Sequence, residues 1–233
     1  MIKIKNKAFT LSEVLITLAV VGTLAALVVP GLIKDYNSKA NMTMLQNMVA
    51  NLQSAVQTQM TREGATDLDA TDIVKDPEKF FRTLDVVNAS SDAKYFPNLN
   101  NYKILSGAAL TAIPKTCKAS AKMKNGVALC MSTFAPVMGN AYGTTHRNVA
   151  TIYIDLNGVK EPNISGVDFF AVYIYPVTTL NGTIPTHPGD IAGVSITTPA
   201  GKSCNTNSDF SPIGCYSQAE QSGFDPNYWK KLL

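Results

Sequence analysis

The sequence predicts an α+β fold, with a long N-terminal α-helix packed on a C-terminal head built around an antiparallel β-sheet. Three observations predict it. Val14 to Ile33 is an apolar run without a charged residue. Lys34 to Arg62 contains neither proline nor glycine, and its apolar residues recur at three- and four-residue spacing. Beyond it, short segments alternate between two sets of side chains, which is the period of a strand.

The first element is the apolar run. Its twenty residues make about 30 Å of helix at 1.5 Å per residue, enough to span a bilayer core. Lys3, Lys5 and Lys7 precede it, as expected for an N-terminus held in the cytoplasm. A cleaved secretory signal fits poorly, because the run is long and Val28-Val29-Pro30-Gly31 offers no A-x-A site. A plain signal anchor explains the topology but not Glu13. A charge at the bilayer centre costs about 2.5–3.5 kcal/mol, and less near the interface.

The helix is expected to continue. Leu45, Met48, Leu52, Ala55, Val56 and Met60 make one stripe, while Lys34, Asp35, Lys39, Gln46, Asn47, Gln53 and Gln57 supply much of the polar remainder. Its end is expected near Glu63-Gly64, a glycine stop. Phe9 to Arg62 is 54 residues, about 80 Å if continuous. Pro30 would loosen or bend the helix in its apolar half. The organisation expected is a leader over 1–8, an apolar helix over 9–33, an amphipathic helix over 34–63 and a head over 64–233, long enough for one hydrophobic core.

Within the head, Asp72 to Leu84 reads as a short helix beginning around Pro77. Strands are expected over Gly126–Ser132, Thr151–Leu156 and Val167–Tyr175, with a fourth candidate over Val194–Thr197. The sheet would have three or four strands. From Cys204 the chain is polar and turn-rich until Phe224–Trp229, where Tyr228 and Trp229 are expected to anchor packing.

Cys117, Cys130, Cys204 and Cys215 form two local pairs with twelve and ten residues between their members. Neither has C-x-x-C spacing, and His146 and His187 lie far from both, so zinc is poorly supported. Beside a membrane-targeting N-terminus, two disulfides are expected in an oxidising compartment. Three connectivities are possible, and Cys117–Cys130 with Cys204–Cys215 is favoured. Each such loop would stabilise the head by about 3 kcal/mol.

Function classes narrow from composition. There are 20 basic and 17 acidic residues, and Lys3, Lys5 and Lys7 account for the difference. The remainder is neutral, which argues against nucleic-acid binding driven by bulk charge but leaves room for a local basic patch. No Gly-rich phosphate loop, G-x-S-x-G or H-E-x-x-H motif is present, so no enzyme is indicated.

Lys7-Ala8-Phe9-Thr10-Leu11-Ser12-Glu13-Val14-Leu15-Ile16 resembles the prepilin-type cleavage and methylation motif of type IV pilins and type II secretion pseudopilins. The resemblance implies cleavage between Ala8 and Phe9 by a prepilin peptidase, followed by methylation of the Phe9 amine. It implies that Glu13 pairs with a neighbouring subunit's amine, and it places Pro30 where a helix-kinking proline often stands. The residue before the cut is usually glycine, and here it is Ala8. The implied fold is pilin-like. The implied partners are homologous subunits, the peptidase and an inner-membrane assembly platform with a cytoplasmic ATPase. The implied place is the bacterial inner membrane, single-pass, with the head extracytoplasmic. A filament subunit for protein secretion is expected. The alternatives are a minor pilin for adhesion or DNA uptake, and a membrane-anchored periplasmic domain that never polymerises.

One head segment carries candidate chemistry. Asp155-Leu156-Asn157-Gly158 begins like a calcium loop, and Asp168 could add a carboxylate. Some pseudopilins bind calcium in their head, so Asp155, Asn157 and Asp168 are candidate ligands. The glycine comes too early for an EF-hand and no glutamate closes the loop. The competing reading is a strand–turn–strand connection, with Asn-Gly and Gly166 supplying turns.

Overall fold

A computed structural model describes residues 10–65, 70–96, 101–111, 116–132, 150–158, 160–174, 194–195, 203–205 and 211–232. Ala8, Phe9, His146 and His187, singled out in the sequence, lie outside these residues. The chain divides into two compact units, Met1–Ala40 and Asn41–Leu233.

Helix α1 runs Leu11–Glu63. It begins on a capping box, Thr10-Leu11-Ser12-Glu13. The Glu13 amide donates to Thr10 Oγ1 at 3.3 Å, and the Thr10 amide donates back to Glu13 Oε2 at 2.8 Å. The helix stops where Gly64 takes a φ of +58°, a backbone that glycine adopts without Cβ strain. Pro30 lies inside it and removes one internal N–H donor. In the first unit, every described residue from 10 to 33 is exposed, with Leu11 and Leu27 each at 79%.

In the second unit the amphipathic stripe does what its spacing predicts. Met42, Leu45, Met48, Val49, Leu52 and Val56 are buried in one core with Leu129, Met131, Ile152, Ile154, Phe170 and Val172 of the sheet. Burying a side chain such as Leu52 contributes about 1.5–3 kcal/mol. Helices α2 (Asp72–Lys75) and α3 (Pro77–Phe81) add Ile73, Phe80 and Phe81 to that core. Pro77 opens α3, and the Asp76 carboxylate accepts the Lys79 amide as its cap. The expected helix is thus two short ones, broken at Asp76.

The sheet is antiparallel throughout, in the order β1-β2-β3-β4-β5-β6. Its strands are β1 (Val86–Ser90), β2 (Ala119–Met123), β3 (Ala128–Ser132), β4 (Ala150–Asp155), β5 (Phe169–Ile174) and a two-residue β6 (Val194–Ser195). The last four match the expected segments, with β4 starting one residue early at Ala150. β1 and β2 were not expected, and they raise the count to six. The strand alternation sorts residues between two buried faces. One meets α1, while Ala128, Cys130, Tyr153, Phe169 and Ala171 meet Phe96, Tyr102, Ile104 and Leu110 in a second cluster. Both faces of β3 and β4 are consequently buried.

The C-terminal stretch departs from the turn-rich expectation. Ser211–Gln221 forms helix α4, with Ile213, Cys215, Tyr216 and Ala219 buried. Tyr228, 3% exposed, donates its hydroxyl to the Gly166 carbonyl at 2.7 Å. Disulfides join Cys117 to Cys130 and Cys204 to Cys215.

Candidate functional site

Two places carry chemistry, and the first is the head of α1. Glu13 is not left as a bare carboxylate beside an apolar run. Thr10 donates to its Oε2 through both the amide, at 2.8 Å, and the hydroxyl, at 2.9 Å. A carboxylate there also faces the positive end of the helix dipole. The T-x-x-E spacing before an apolar run is a sequence signal for this cap, which the readings of Glu13 as a membrane charge and an assembly partner leave unused. The apolar part of α1 contains an 18-residue window of mean hydropathy 2.4, none of it buried, so the helix is long and apolar enough to cross a membrane.

The second place is the turn between β4 and β5, which gathers all three proposed calcium ligands. Asn157 Nδ2 donates to Asp168 Oδ2 at 2.8 Å, and the Asn157 amide donates to Asp155 Oδ1 at 3.1 Å. Asp155 and Asp168 are each fully buried. The missed partner is Tyr102, 53 residues upstream of Asp155, whose hydroxyl donates to Asp155 Oδ2 at 2.5 Å. Asp168 also accepts the amides of Asn163 and Ile164, at 2.9 and 2.6 Å. No sequence spacing points to Tyr102, because a loop brings it there.

Burial pushes the Asp155 carboxyl up to about 7, with the nearby Asp168 adding to the rise and the Tyr102 hydroxyl opposing it. Burial raises Asp168 as well, against the donors it accepts. Tyr102 is held protonated, chiefly by burial and secondarily by the Asp155 charge.

The donor set bears on calcium. All four carboxylate oxygens of Asp155 and Asp168 accept a protein donor, and Asn157 turns its Nδ2 rather than its oxygen to Asp168. Asn157 Oδ1 and Asn163 Oδ1 are buried without a protein partner, the one observation in favour of a cation. Among the described residues, no three acidic, His or Cys side chains group together. The geometry is that of a hydrogen-bonded turn. Gly158 and Gly166 take φ values of +68° and +89° within it. A Cβ at Gly158 would lie 2.9 Å from the Gly126 carbonyl oxygen, and one at Gly166 would lie 3.0 Å from Cys215 Sγ.

A long N-terminal helix followed by an antiparallel sheet gives the α+β, pilin-like arrangement, and the apolar capped helix fits a membrane-anchored N-terminus. Residues 3–29 match the family model described as the prokaryotic N-terminal methylation motif. The chain therefore carries the motif of prepilin-type proteins, in agreement with the resemblance carried by Lys7–Ile16. No curated protein and no solved structure matches the chain.

Proposed function

We infer that this chain is a filament subunit of a type II secretion pseudopilus or a type IV pilus-like machine. The observation that carries the reading is the methylation motif at residues 3–29, set directly on an apolar helix whose described residues 10–33 are exposed. A prepilin peptidase removes residues 1–8, Phe9 becomes the methylated N-terminus, and the subunit waits in the bacterial inner membrane. Assembly on a platform driven by a cytoplasmic ATPase then packs the apolar helices against one another. The role is mechanical rather than catalytic. Support of protein secretion is the role favoured here, and the electrical neutrality of the chain beyond the leader weighs against DNA uptake.

Glu13 has a defined part in this reading. In the single chain its carboxylate is satisfied by Thr10. In a filament the same carboxylate meets the Phe9 amine of a neighbour, and a buried charge without that partner is strongly penalised. The pairing selects the in-register neighbour. The Glu13→Ala variant tests it by assembly, measured as subunits recovered in sheared fibres. The expected result is loss of assembly with the subunit still present in the membrane, and unchanged assembly contradicts the reading.

The Asp155–Asp168 turn serves as a metal-independent connection that fixes β4 and β5. Its support is the set of protein donors already held by both carboxylates. The processing, assembly and domain boundaries given above belong to the same proposal.

A further inference from the structure

A groove of about 320 Å³ lies where the β2–β3 turn meets the turn after β4. Gly126 and Gly158 bring the two turns together, since any side chain at Gly158 would strike the Gly126 carbonyl. Ala128 and Leu156 form an apolar floor, and Tyr95, Lys122, Asn125 and Lys160 stand around it. The register explains why a lysine faces this place. Lys122 pairs across the sheet with Ala128, which pairs with Asp155, so all three share one row and one face. Ala121 and Met123, its neighbours in β2, point instead into the core with α1.

The charges there are not compensated. Among the described residues no carboxylate lies within ion-pair distance of Lys122 or Lys160, whereas Lys124, in the turn just after β2, is held by Asp85 at 2.5 Å. Asp155, in the same row, is turned to Tyr102 and gives Lys122 no partner. Two exposed ammonium groups, an amide and a tyrosine around an apolar floor suit an anionic occupant with a short aliphatic stem. The volume is at the small end for ligand sites, with room for a few side chains rather than a run of stacked bases. Neutrality beyond the leader also argues against a phosphate backbone held by bulk positive charge.

We propose that this groove binds a short acidic polypeptide segment of a partner protein, with its carboxylates held between Lys122 and Lys160. The site is independent of the filament reading, so failure of either leaves the other standing. The test uses the full chain in detergent micelles and fluorescence anisotropy with a labelled hexaglutamate peptide. Labelled hexaglutamine and oligothymidylate form separate arms. Hexaglutamate is expected to bind, with affinity falling as salt screens the pairs, while hexaglutamine does not. The double variant K122Q/K160Q should bind about tenfold or more weakly. K118Q, which changes an exposed lysine outside the groove, should match the parent. The proposal is overturned by absence of hexaglutamate binding, by equal binding in K122Q/K160Q, or by oligothymidylate binding in preference to the peptide.

Discussion

At Asp155 the cost of burial falls on the charged form, and Tyr102 only partly offsets it. The carboxyl is pushed from 3.8 up to about 7 in the folded head. The folded state therefore holds a proton that the unfolded chain releases near its ordinary value. Stability from this group is fully present below pH 3.8 and declines as pH rises toward about 7. Asp168 is raised too and acts in the same direction. The Asp155→Asn variant should flatten this decline, by on the order of a few kcal/mol between the two ends of the window. Thermal unfolding midpoints across that pH range read it. The slope is the readout, because an amide also loses one acceptor position and lowers the midpoint at every pH. A slope equal to the parent's contradicts the assignment. Asp155 is legible in the sequence as a candidate metal ligand, but its partner Tyr102 is not, since only the folded loop supplies it.

The elements that sequence could disclose are those whose own pattern decides their structure. The stripe from Leu45 to Met60 and the alternation in β3, β4 and β5 are periodic, and the core is where that periodicity points. β1 (VVNAS) and β2 (ASAKM) are five residues each and rich in small or polar side chains. Their strand form comes from the neighbours that pair with them, which local propensity does not contain. The α4 sequence SPIGCYSQAEQ carries Gly214, a poor helix former, in its interior and is short, and it is held by burial of Ile213, Cys215, Tyr216 and Ala219. Two further contacts hold the β4–β5 turn from outside: the Tyr228 hydroxyl on Gly166 and the Asn41 side chain on the Val167 carbonyl. A turn tied by this many protein donors should not depend on a metal. Millimolar calcium or a chelator should leave the thermal unfolding midpoint unchanged, and a calcium-dependent rise would overturn the metal-independent reading.

Across the whole molecule, the two units pose opposite solvation problems. Asn41–Leu233 contains both hydrophobic clusters, covering each face of the sheet and stapled by two disulfides. The described part of Met1–Ala40 instead presents Leu15, Ile16, Leu18, Leu24, Leu27 and Leu32 with more than half of each side chain's residue surface exposed. A helix apolar all round is stable in lipid or among other apolar helices, not in water. In the proposed reading, membrane storage followed by filament packing supplies those two surroundings in turn. Filament packing in that reading depends on release of the leader, which places the central claim at the bond between Ala8 and Phe9. Mass spectrometry of the N-terminal peptide, from the chain produced with its prepilin peptidase, tests that claim most directly. The expected product is a chain that begins at Phe9 with one methyl group on its amine, and a chain that keeps residues 1–8 or begins elsewhere would contradict the claim.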